Sequence, residues 1–163
     1  MTIAVPLATQ QPGHSPRCLQ TIVPHHMQHN SEPEAVDLLL EVDEIELLLE
    51  HIEENNYQRT CLYLTSTAAY LPEPDDTAVF TAAYDGYMKV AKWHDAMRVA
   101  LRLNDREKIQ AVFSTCKDMV EQQQLGYLLA RQGVVLDCED GPCAIEDEEQ
   151  RATVRALLSA GAL

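Results

Sequence analysis

The chain has 163 residues, of which 46% are hydrophobic and 23% are charged, and this length and composition are those of one globular domain. Twelve Lys and Arg against 26 Asp and Glu give a net charge of −14. That balance argues against nucleic acid and anionic membranes as partners, because both require clustered Lys and Arg.

The cysteine content indicates a reducing compartment. Five cysteines occur at irregular spacing. Met1–Ala8 is apolar, but it is short and lacks a charged region, so we expect no secretory signal. The sequence contains no run of about 18 apolar residues, so no membrane span is predicted. We therefore predict free thiols, with Cys61 and Cys116 as small core side chains on apolar helix faces.

The first predicted elements are an arm and a helix. Residues 1–21 contain three Pro and one Gly without hydrophobic periodicity, which predicts a mobile arm. A helix is predicted to begin at Ser31, an N-cap candidate that is followed by proline and acidic residues in the first turn. Its inward side chains are Val36, Leu39 and Leu40.

Three more helices are predicted between residues 45 and 90. The first has an apolar stripe of Ile45, Leu48, Leu49 and Ile52 and otherwise acidic faces. The second stops at the Pro72-Glu73-Pro74 run, and its stripe is Tyr57, Cys61, Leu64, Ala68 and Leu71. The third has Gly86 inside it, which costs about 1 kcal/mol relative to Ala and so predicts a close helix–helix approach; its face is Val79, Phe80, Ala83, Tyr84 and Tyr87.

Lys92–Gly133 carries three further amphipathic helices joined by short turns. The first ends at Asn104-Asp105, and the third begins at Asp118 and ends at Gly133, a C′ glycine candidate. Stripes this close must pack on one another and on further helices. The stripes of the first two helices are Trp93, Ala96, Met97, Ala100 and Leu101, then Ile109, Val112, Phe113 and Cys116.

The last part of the sequence is acidic. Residues 137–149 contain seven acidic residues and no basic one, which predicts an exposed acidic loop. A final amphipathic helix is predicted within residues 150–163, and we expect it to be truncated. No strand signal of comparable quality occurs, although Val134–Leu136 could be extended.

The helix-opening residues Asp43, Asp75 and Asp105 recur about every thirty residues, with two helices per unit, which is close to the period of paired-helix solenoids. The sequence therefore predicts an all-α fold of antiparallel helix pairs in an α-solenoid-like, tetratricopeptide-like array. Residues 22–136 are its helical segment.

Few residues are candidates for chemistry. His25, His26 and His29 are the densest ligand-like group, but a structural zinc site needs four ligands and no matching Cys or His pair occurs. Cys138 and Cys143 are not a CxxC pair, and their acidic surroundings raise a thiol pKa. We predict no metal site and no cofactor.

A nucleophile would require Cys61 or Cys116 to pair with a histidine such as His51 or His94. Nothing in the sequence supports an oxyanion hole or an orienting third group. No Gly-rich phosphate loop, GxSxG or HExxH motif occurs. We therefore assign no catalytic residue.

Two groups of residues have both a structural and a functional interpretation. The acidic face of Glu41–Glu54 is usually a solvated surface, and its functional interpretation is a docking site for a basic partner. Trp93, Tyr84 and Tyr87 lie at helical spacing and are interpreted as core rather than as a ligand cage.

Three groups of sequence runs resemble a known family. They are IVPHHMQHNSEPEAVDLL (Ile22–Leu39), RTCLYLTSTAAYLPEPDD (Arg59–Asp76), and ALRLND with VFSTCKD and LLARQGV. Together, from Ile22 to Val135, they resemble the proteasome/cyclosome-repeat family, and within it the smaller of the two large non-ATPase scaffold subunits in the base of the 26S proteasome regulatory particle.

This resemblance implies a non-catalytic scaffold, in the cytoplasm and nucleus, that supports degradation of ubiquitinated proteins. It implies other regulatory-particle subunits, including the ATPase ring, as partners. Family members bind ubiquitin and ubiquitin-like proteins through a toroid of repeats that lies downstream of the matching region, so no ubiquitin-contacting residue is assigned here. Family members are also several times longer, which makes this chain a segment ahead of the toroid.

Two alternatives remain. One is a free-standing helical adaptor that binds a protein or peptide on a concave face, for which a basic or aromatic groove is expected and none is identifiable from sequence. The other is a small thiol enzyme.

Overall fold

The computed structural model describes residues 16–134, 136, 145 and 147–160. Within these residues the chain forms nine α-helices, one 3₁₀ helix (η1, Ile45–Leu47) and no β-strand, which confirms the predicted all-α fold. The α-helices are α1 (Pro16–Gln28), α2 (Glu32–Glu41), α3 (Leu48–His51), α4 (Tyr57–Ala68), α5 (Asp75–Lys89), α6 (Trp93–Leu103), α7 (Arg106–Thr115), α8 (Met119–Arg131) and α9 (Glu148–Ala160).

Helix α1 begins earlier than the sequence predicted. It starts at Pro16, so the predicted mobile arm over 1–21 is wrong for its last six residues, and residues 1–15 lie outside the described part. Leu19, Val23 and Met27 recur every fourth position and are buried. This stripe anchors the helix to the core, and sequence analysis overlooked it because the helix begins at Pro16 and has Pro24 inside it.

The acidic segment after α2 is not the single helix that the sequence predicted. Asp43 has a left-handed φ of 62°, which ends α2, and η1 and the one-turn helix α3 follow. Ile52 is extended and closes α3. The predicted apolar stripe nevertheless faces inward, since Ile45, Leu48 and Ile52 are buried.

Asn56 fixes the turn between α3 and α4. Its Oδ1 accepts a hydrogen bond from the backbone N–H of Glu53 at 2.8 Å, and its Nδ2 donates to the His51 carbonyl oxygen at 3.0 Å. The side chain is buried, so these bonds also satisfy an amide that water does not reach.

The helices pack mainly on their neighbours along the chain. Helices α4, α5, α6 and α7 form consecutive pairs, and α8 pairs with α9. Short connections between packed helices make such neighbours antiparallel. Helix α2 also packs on α4, and α6 on α8, so some helices contact the second helix along the chain as well as the next one, as in a solenoid. One continuous buried cluster runs from Val23 to Leu158. Among the described helices, none is both long and apolar enough to cross a bilayer.

Left-handed residues end most of these helices. Asn30, Asp43, Ala91 and Asn104 have φ between 53° and 62°, and Gly133 has φ of 68°. The predicted C′ glycine at the end of α8 is therefore confirmed. Asn and Asp tolerate this conformation better than other side chains, and glycine best of all.

Aspartate caps open α7 and α8. The Asp105 Oδ1 accepts hydrogen bonds from the backbone N–H groups of Glu107 at 3.0 Å and Lys108 at 3.2 Å, and its Oδ2 accepts one from Lys108 Nζ at 2.8 Å. Asp118 caps α8 through the Val120 N–H at 3.0 Å. Ser31 occupies the predicted N-cap position of α2 but makes no side-chain cap bond.

Loss of the α7 cap is expected to destabilise the fold measurably. Asp105→Ala removes both backbone acceptors and the Lys108 ion pair, so we expect a loss of about 1–2 kcal/mol in the free energy of unfolding. Asp105→Asn keeps the cap oxygen and should retain at least half of that stability. Urea denaturation followed by circular dichroism measures both variants, and equal losses would contradict the capping role.

Gly86 lies where α5 crosses the α3–α4 region. A Cβ at this position would lie 2.8 Å from Ile52 Cδ1 and 2.9 Å from Cys61 Sγ. The close approach that the sequence predicted for this glycine is confirmed. The internal glycine lowers the helix propensity of α5, but it allows α5 to pack closely against Ile52 and Cys61.

Within the described part of the predicted exposed loop over 137–149, Asp147, Glu148 and Glu149 are exposed, whereas Ile145 is buried. Leu136 and Ile145 are buried, and the Ile145 carbonyl oxygen accepts hydrogen bonds from the Arg151 guanidinium, with Nε at 2.9 Å. Helix α9 begins at Glu148, two residues before the predicted boundary. The remaining loop residues, 137–144 and 146, lie outside the described part, as do 161–163.

Candidate functional site

A groove opens between the η1–α3 segment and α5, and we call it the acidic groove. Its volume is about 890 Å³. One wall comes from the short acidic helices and the other from a face of α5 opposite its buried stripe. The lining residues are Ile45, Glu46, Leu49, Glu50, Pro74, Thr77, Ala78, Thr81, Ala82, Asp85 and Lys89.

The floor of the acidic groove is apolar or small. Ile45 and Leu49 come from the short helices, and Ala78 and Ala82 come from α5. These α5 positions are four apart, so they lie on one helix face one turn from each other. The volume lies at the upper end of the roughly 300–1,000 Å³ typical of ligand pockets.

The rim of the acidic groove carries three carboxylates, from Glu46, Glu50 and Asp85. Burial raises the pKa of Asp85, Lys108 opposes that rise, and Glu46 adds to it. The single cation of the lining, Lys89, donates from Nζ to the carbonyl oxygens of Leu49 at 2.7 Å and Glu50 at 3.2 Å. The positive charge of Lys89 thus lies beside backbone carbonyl groups of α3, where a cation is stabilising.

Neutralising Asp85 is expected to stabilise the protein. Its folded pKa is above the usual 3.8, so ionisation opposes folding, and this penalty is fully present at neutral pH and absent below pH 3.8. Asp85→Asn should therefore raise Tm at pH 7, by about 1–2 °C after allowance for partial exposure, and show no gain at pH 3. Thermal scans at both pH values test this. A lower Tm at pH 7 would contradict it.

A second groove lies across α4, α5 and α6, and we call it the arginine groove. Its volume is about 180 Å³. Arg102 lies over the Phe80 ring with its Cζ 4.5 Å from the centroid, a cation–π contact, and exposed Leu62 lies beside them. Sequence analysis could not identify a basic or aromatic groove. Its members come from three helices, and no local pattern joins them.

Helix α8 exposes an apolar face. Met119, Val120 and Tyr127 are 47%, 57% and 58% exposed, which is half of the large exposed hydrophobic side chains among the described residues. Val120 and Tyr127 line a shallow groove of about 490 Å³ together with His94.

The histidine group lies at the end of α1. The rings of His25 and His29 are stacked with centroids 4.1 Å apart, and His26 lies edge-on to His25 at 6.0 Å. His29 Nδ1 lies 2.7 Å from the His25 carbonyl oxygen. Among the described residues, no group of three or more His, Cys, Asp or Glu could hold a metal ion.

Cys61 has the environment of a core side chain. It is fully buried where α4 meets Gly86 of α5. Burial, with a smaller contribution from Asp95, raises the pKa of its thiol to about 12. A thiol with this pKa is protonated at neutral pH and is a poor nucleophile.

Cys116 is also buried and has acidic neighbours. Its Sγ lies 3.5 Å from Glu121 Oε2, and burial is the main cause that raises the pKa of the thiol to about 11. Cys138 and Cys143 lie outside the described residues. Neither of the two buried thiols has the electropositive surroundings that activate a catalytic cysteine.

The predicted aromatic residues divide between core and boundary. Tyr84 and Tyr87 are buried, as predicted, and Tyr84 donates from its hydroxyl to the Lys108 carbonyl oxygen at 3.2 Å. Burial raises the pKa of Tyr87 to about 12. Trp93 is half-buried against the same core.

An ion pair with one buried member, Glu32, joins α2 to α4. The Glu32 side chain is fully buried, and its Oε1 accepts from Arg59 Nη2 at 2.7 Å. Arg59 Nη2 also donates to Asn30 Oδ1 at 2.6 Å. The Glu32 Oε2 has no hydrogen-bond partner. Sequence analysis missed this pair because 27 residues separate its members and no periodicity connects them.

Comparisons with known proteins agree with the helical architecture. A family model described as the RPN1 N-terminal domain matches residues 14–163. The chain is 42% identical over 132 residues to the 26S proteasome non-ATPase regulatory subunit 2 homolog A of Arabidopsis thaliana, which covers 81% of this chain and 15% of that protein.

Two other relatives give the same result. The 26S proteasome non-ATPase regulatory subunit 2 of Dictyostelium discoideum is 43% identical over 122 residues, covering 74% of this chain and 14% of that protein. The 26S proteasome regulatory subunit RPN1 of Candida glabrata is 41% identical over 113 residues, covering 69% and 12%. The chain thus spans 12–15% of the length of these curated relatives.

Proposed function

Since this chain belongs to the RPN1 N-terminal domain family, we propose that it is a non-catalytic scaffold segment of the 26S proteasome regulatory particle. The family match over residues 14–163 is the observation that carries the proposal. In this role the segment supports ATP-dependent degradation of ubiquitinated proteins by packing against other proteins, and it performs no chemistry itself.

The described side chains support a packing role. One continuous core holds the helices together, while α8 leaves apolar side chains exposed and two grooves open between helices. Exposed apolar patches of this kind mark protein–protein contacts. The buried thiols have raised pKa values, which supports a protein without cysteine catalysis.

The finer parts of the proposal rest on the resemblance described above. The segment lies ahead of the repeat toroid in the smaller of the two large non-ATPase scaffold subunits. Its partners are other regulatory-particle subunits, including the ATPase ring, in cytoplasm and nucleus. Ubiquitin and ubiquitin-like proteins are bound through the downstream repeats rather than through this segment.

A native gel of cell lysate tests the proposal. An antibody raised against Lys92–Gly133 is used to blot the gel beside a proteasome peptidase overlay. We expect the signal to migrate with the active proteasome band, and a denaturing blot of that band gives the length of the polypeptide that carries the segment. A signal found only at small mass, away from peptidase activity, would refute the scaffold role.

The alternative function is a free-standing helical adaptor, and the arginine groove favours it. Arg102 lies over Phe80 in that groove beside exposed Leu62, while Arg98 pairs with Asp95, so Arg102 is the cation that suits an acidic peptide with an apolar anchor. Small native mass together with loss of peptide capture in Arg102→Ala would select the adaptor over the scaffold.

A further inference from the structure

We propose that the acidic groove holds an amphipathic helix of a partner protein, which places apolar side chains on the floor and Lys or Arg against the rim. The inference rests on the proposed scaffold function, because a scaffold segment must present a surface to a neighbouring subunit. It goes further by naming the surface and the chemistry of its occupant.

The shape of the α5 wall fits a helix. Helix α5 has 15 residues, so it presents a wall about 22 Å long at 1.5 Å per residue. Thr77, Ala78, Thr81 and Ala82 recur at positions that share one face, and all four have small side chains. A second helix can therefore approach this wall closely, as amphipathic helices do in apolar grooves.

The charges of the rim select a basic occupant. Glu46, Glu50 and Asp85 surround the floor, and the nearest cations bond elsewhere: Lys89 to backbone carbonyl oxygens and Lys108 to Asp105 at 2.8 Å. An incoming Lys or Arg would add a countercharge to the two exposed carboxylates, Glu46 and Glu50, and to the partly buried carboxylate of Asp85.

Two other occupants fit less well. Residues 1–15 contain no Lys or Arg, so the N-terminal segment offers no such countercharge. A second copy of this chain, with net charge −14, would bring acidic surface towards an acidic rim. Charge complementarity therefore favours a basic partner over both.

Fluorescence anisotropy with the full chain tests the inference. The probe is a labelled 15-residue designed helix with Leu and Ala on one face and Lys on the other, and a second probe has Glu in place of every Lys. Glu46→Gln/Glu50→Gln/Asp85→Asn neutralises the rim. The matched control, Glu107→Gln/Glu148→Gln/Glu149→Gln, removes the same charge from exposed first turns of α7 and α9.

The expected result is binding of the Lys probe, weakened about tenfold by the rim variant and less than twofold by the control, because three rim ion pairs are lost. Ala78→Trp, at an exposed floor position, should abolish binding while Tm is retained. Added salt should weaken the complex.

Several outcomes would overturn the inference. Equal weakening by rim and control variants would mean non-specific attraction, and preference for the Glu probe or for a peptide of residues 1–15 would mean a different occupant. Sedimentation that shows a dimer lost in Ala78→Trp would assign the groove to a second copy. If the chain migrates with the proteasome but does not bind the Lys probe, only the proposed helix-binding role of the acidic groove is refuted. If the chain binds the probe but does not migrate with the proteasome, only the scaffold role is refuted.

Discussion

We expect Arg59→Met to lower the free energy of unfolding by about 3 kcal/mol, because it leaves the carboxylate of Glu32 buried without its countercharge. The Glu32 side chain is fully buried, and its single strong bond runs from Arg59 Nη2 to Oε1 at 2.7 Å. Arg59 itself is 55% exposed, so water can enter where its side chain was and partly solvate the Glu32 carboxylate. The loss of unfolding free energy is therefore expected at the lower end of the usual range of about 3–5 kcal/mol.

The exposed pair between Arg98 and Asp95 is the matched control. Its atoms are 3.4 Å apart, and the two side chains are 71% and 42% exposed. Arg98→Met should therefore change stability by no more than about 0.5 kcal/mol. The double variant Glu32→Met/Arg59→Met should recover most of the loss, since no charge remains buried. Urea unfolding followed by circular dichroism measures all three, and equal losses at Arg59 and Arg98 would show that Glu32 is not effectively desolvated.

We expect Gly86→Ala to destabilise the protein by about 1–2 kcal/mol, although alanine is the better helix former by about 1 kcal/mol. The new Cβ would lie 2.8 Å from Ile52 Cδ1 and 2.9 Å from Cys61 Sγ. The Ile52 terminal methyl can rotate, but the Cys61 side chain has one rotatable bond and is fully buried, so the helices must separate.

Gly126→Ala provides the control with the opposite sign. A Cβ there would meet Val154 Cγ1 at 3.5 Å, an ordinary contact. The helix-propensity gain then remains, and we expect a stabilisation of about 0.5–1 kcal/mol. In a Cys61→Ala background, Gly86→Ala should cost less than in the wild type, which a double-mutant cycle measures. Stabilisation by Gly86→Ala in the wild type would contradict the close approach.

Local sequence patterns predicted the helices well where the apolar periodicity extended over several turns. The stripes of α4 to α7 and the stop at Gly133 follow from spacing and capping alone. The prediction of one continuous helix over Ile45–Ile52 was wrong, although the apolar spacing there suits a helix. The left-handed φ of Asp43 and the two side-chain hydrogen bonds of Asn56 flank this segment, which forms only η1 and the one-turn helix α3. Local backbone conformation and local side-chain hydrogen bonds overrode helix propensity there.

The candidate site was only half predictable. The acidic face of Glu41–Glu54 was recognised as a docking candidate, but the opposite wall of the acidic groove was not. No sequence pattern marks the small residues of that wall as a binding surface, because small residues are common on exposed helix faces. They are Thr77, Ala78, Thr81 and Ala82. Their role depends on which element packs opposite them, and that information is long-range.

The chain-neighbour packing of the helices has a consequence for how the protein opens. Among the described helices, α5 and α6 pack on helices that precede and follow them, whereas α1 packs on α2 and α3 and α9 packs mainly on α8. In such an array, stability is close to a sum over adjacent interfaces, so the ends can fray without loss of the centre. Amide hydrogens of α1 and α9 should then exchange with solvent through small local openings, and those of α5 and α6 only through global unfolding.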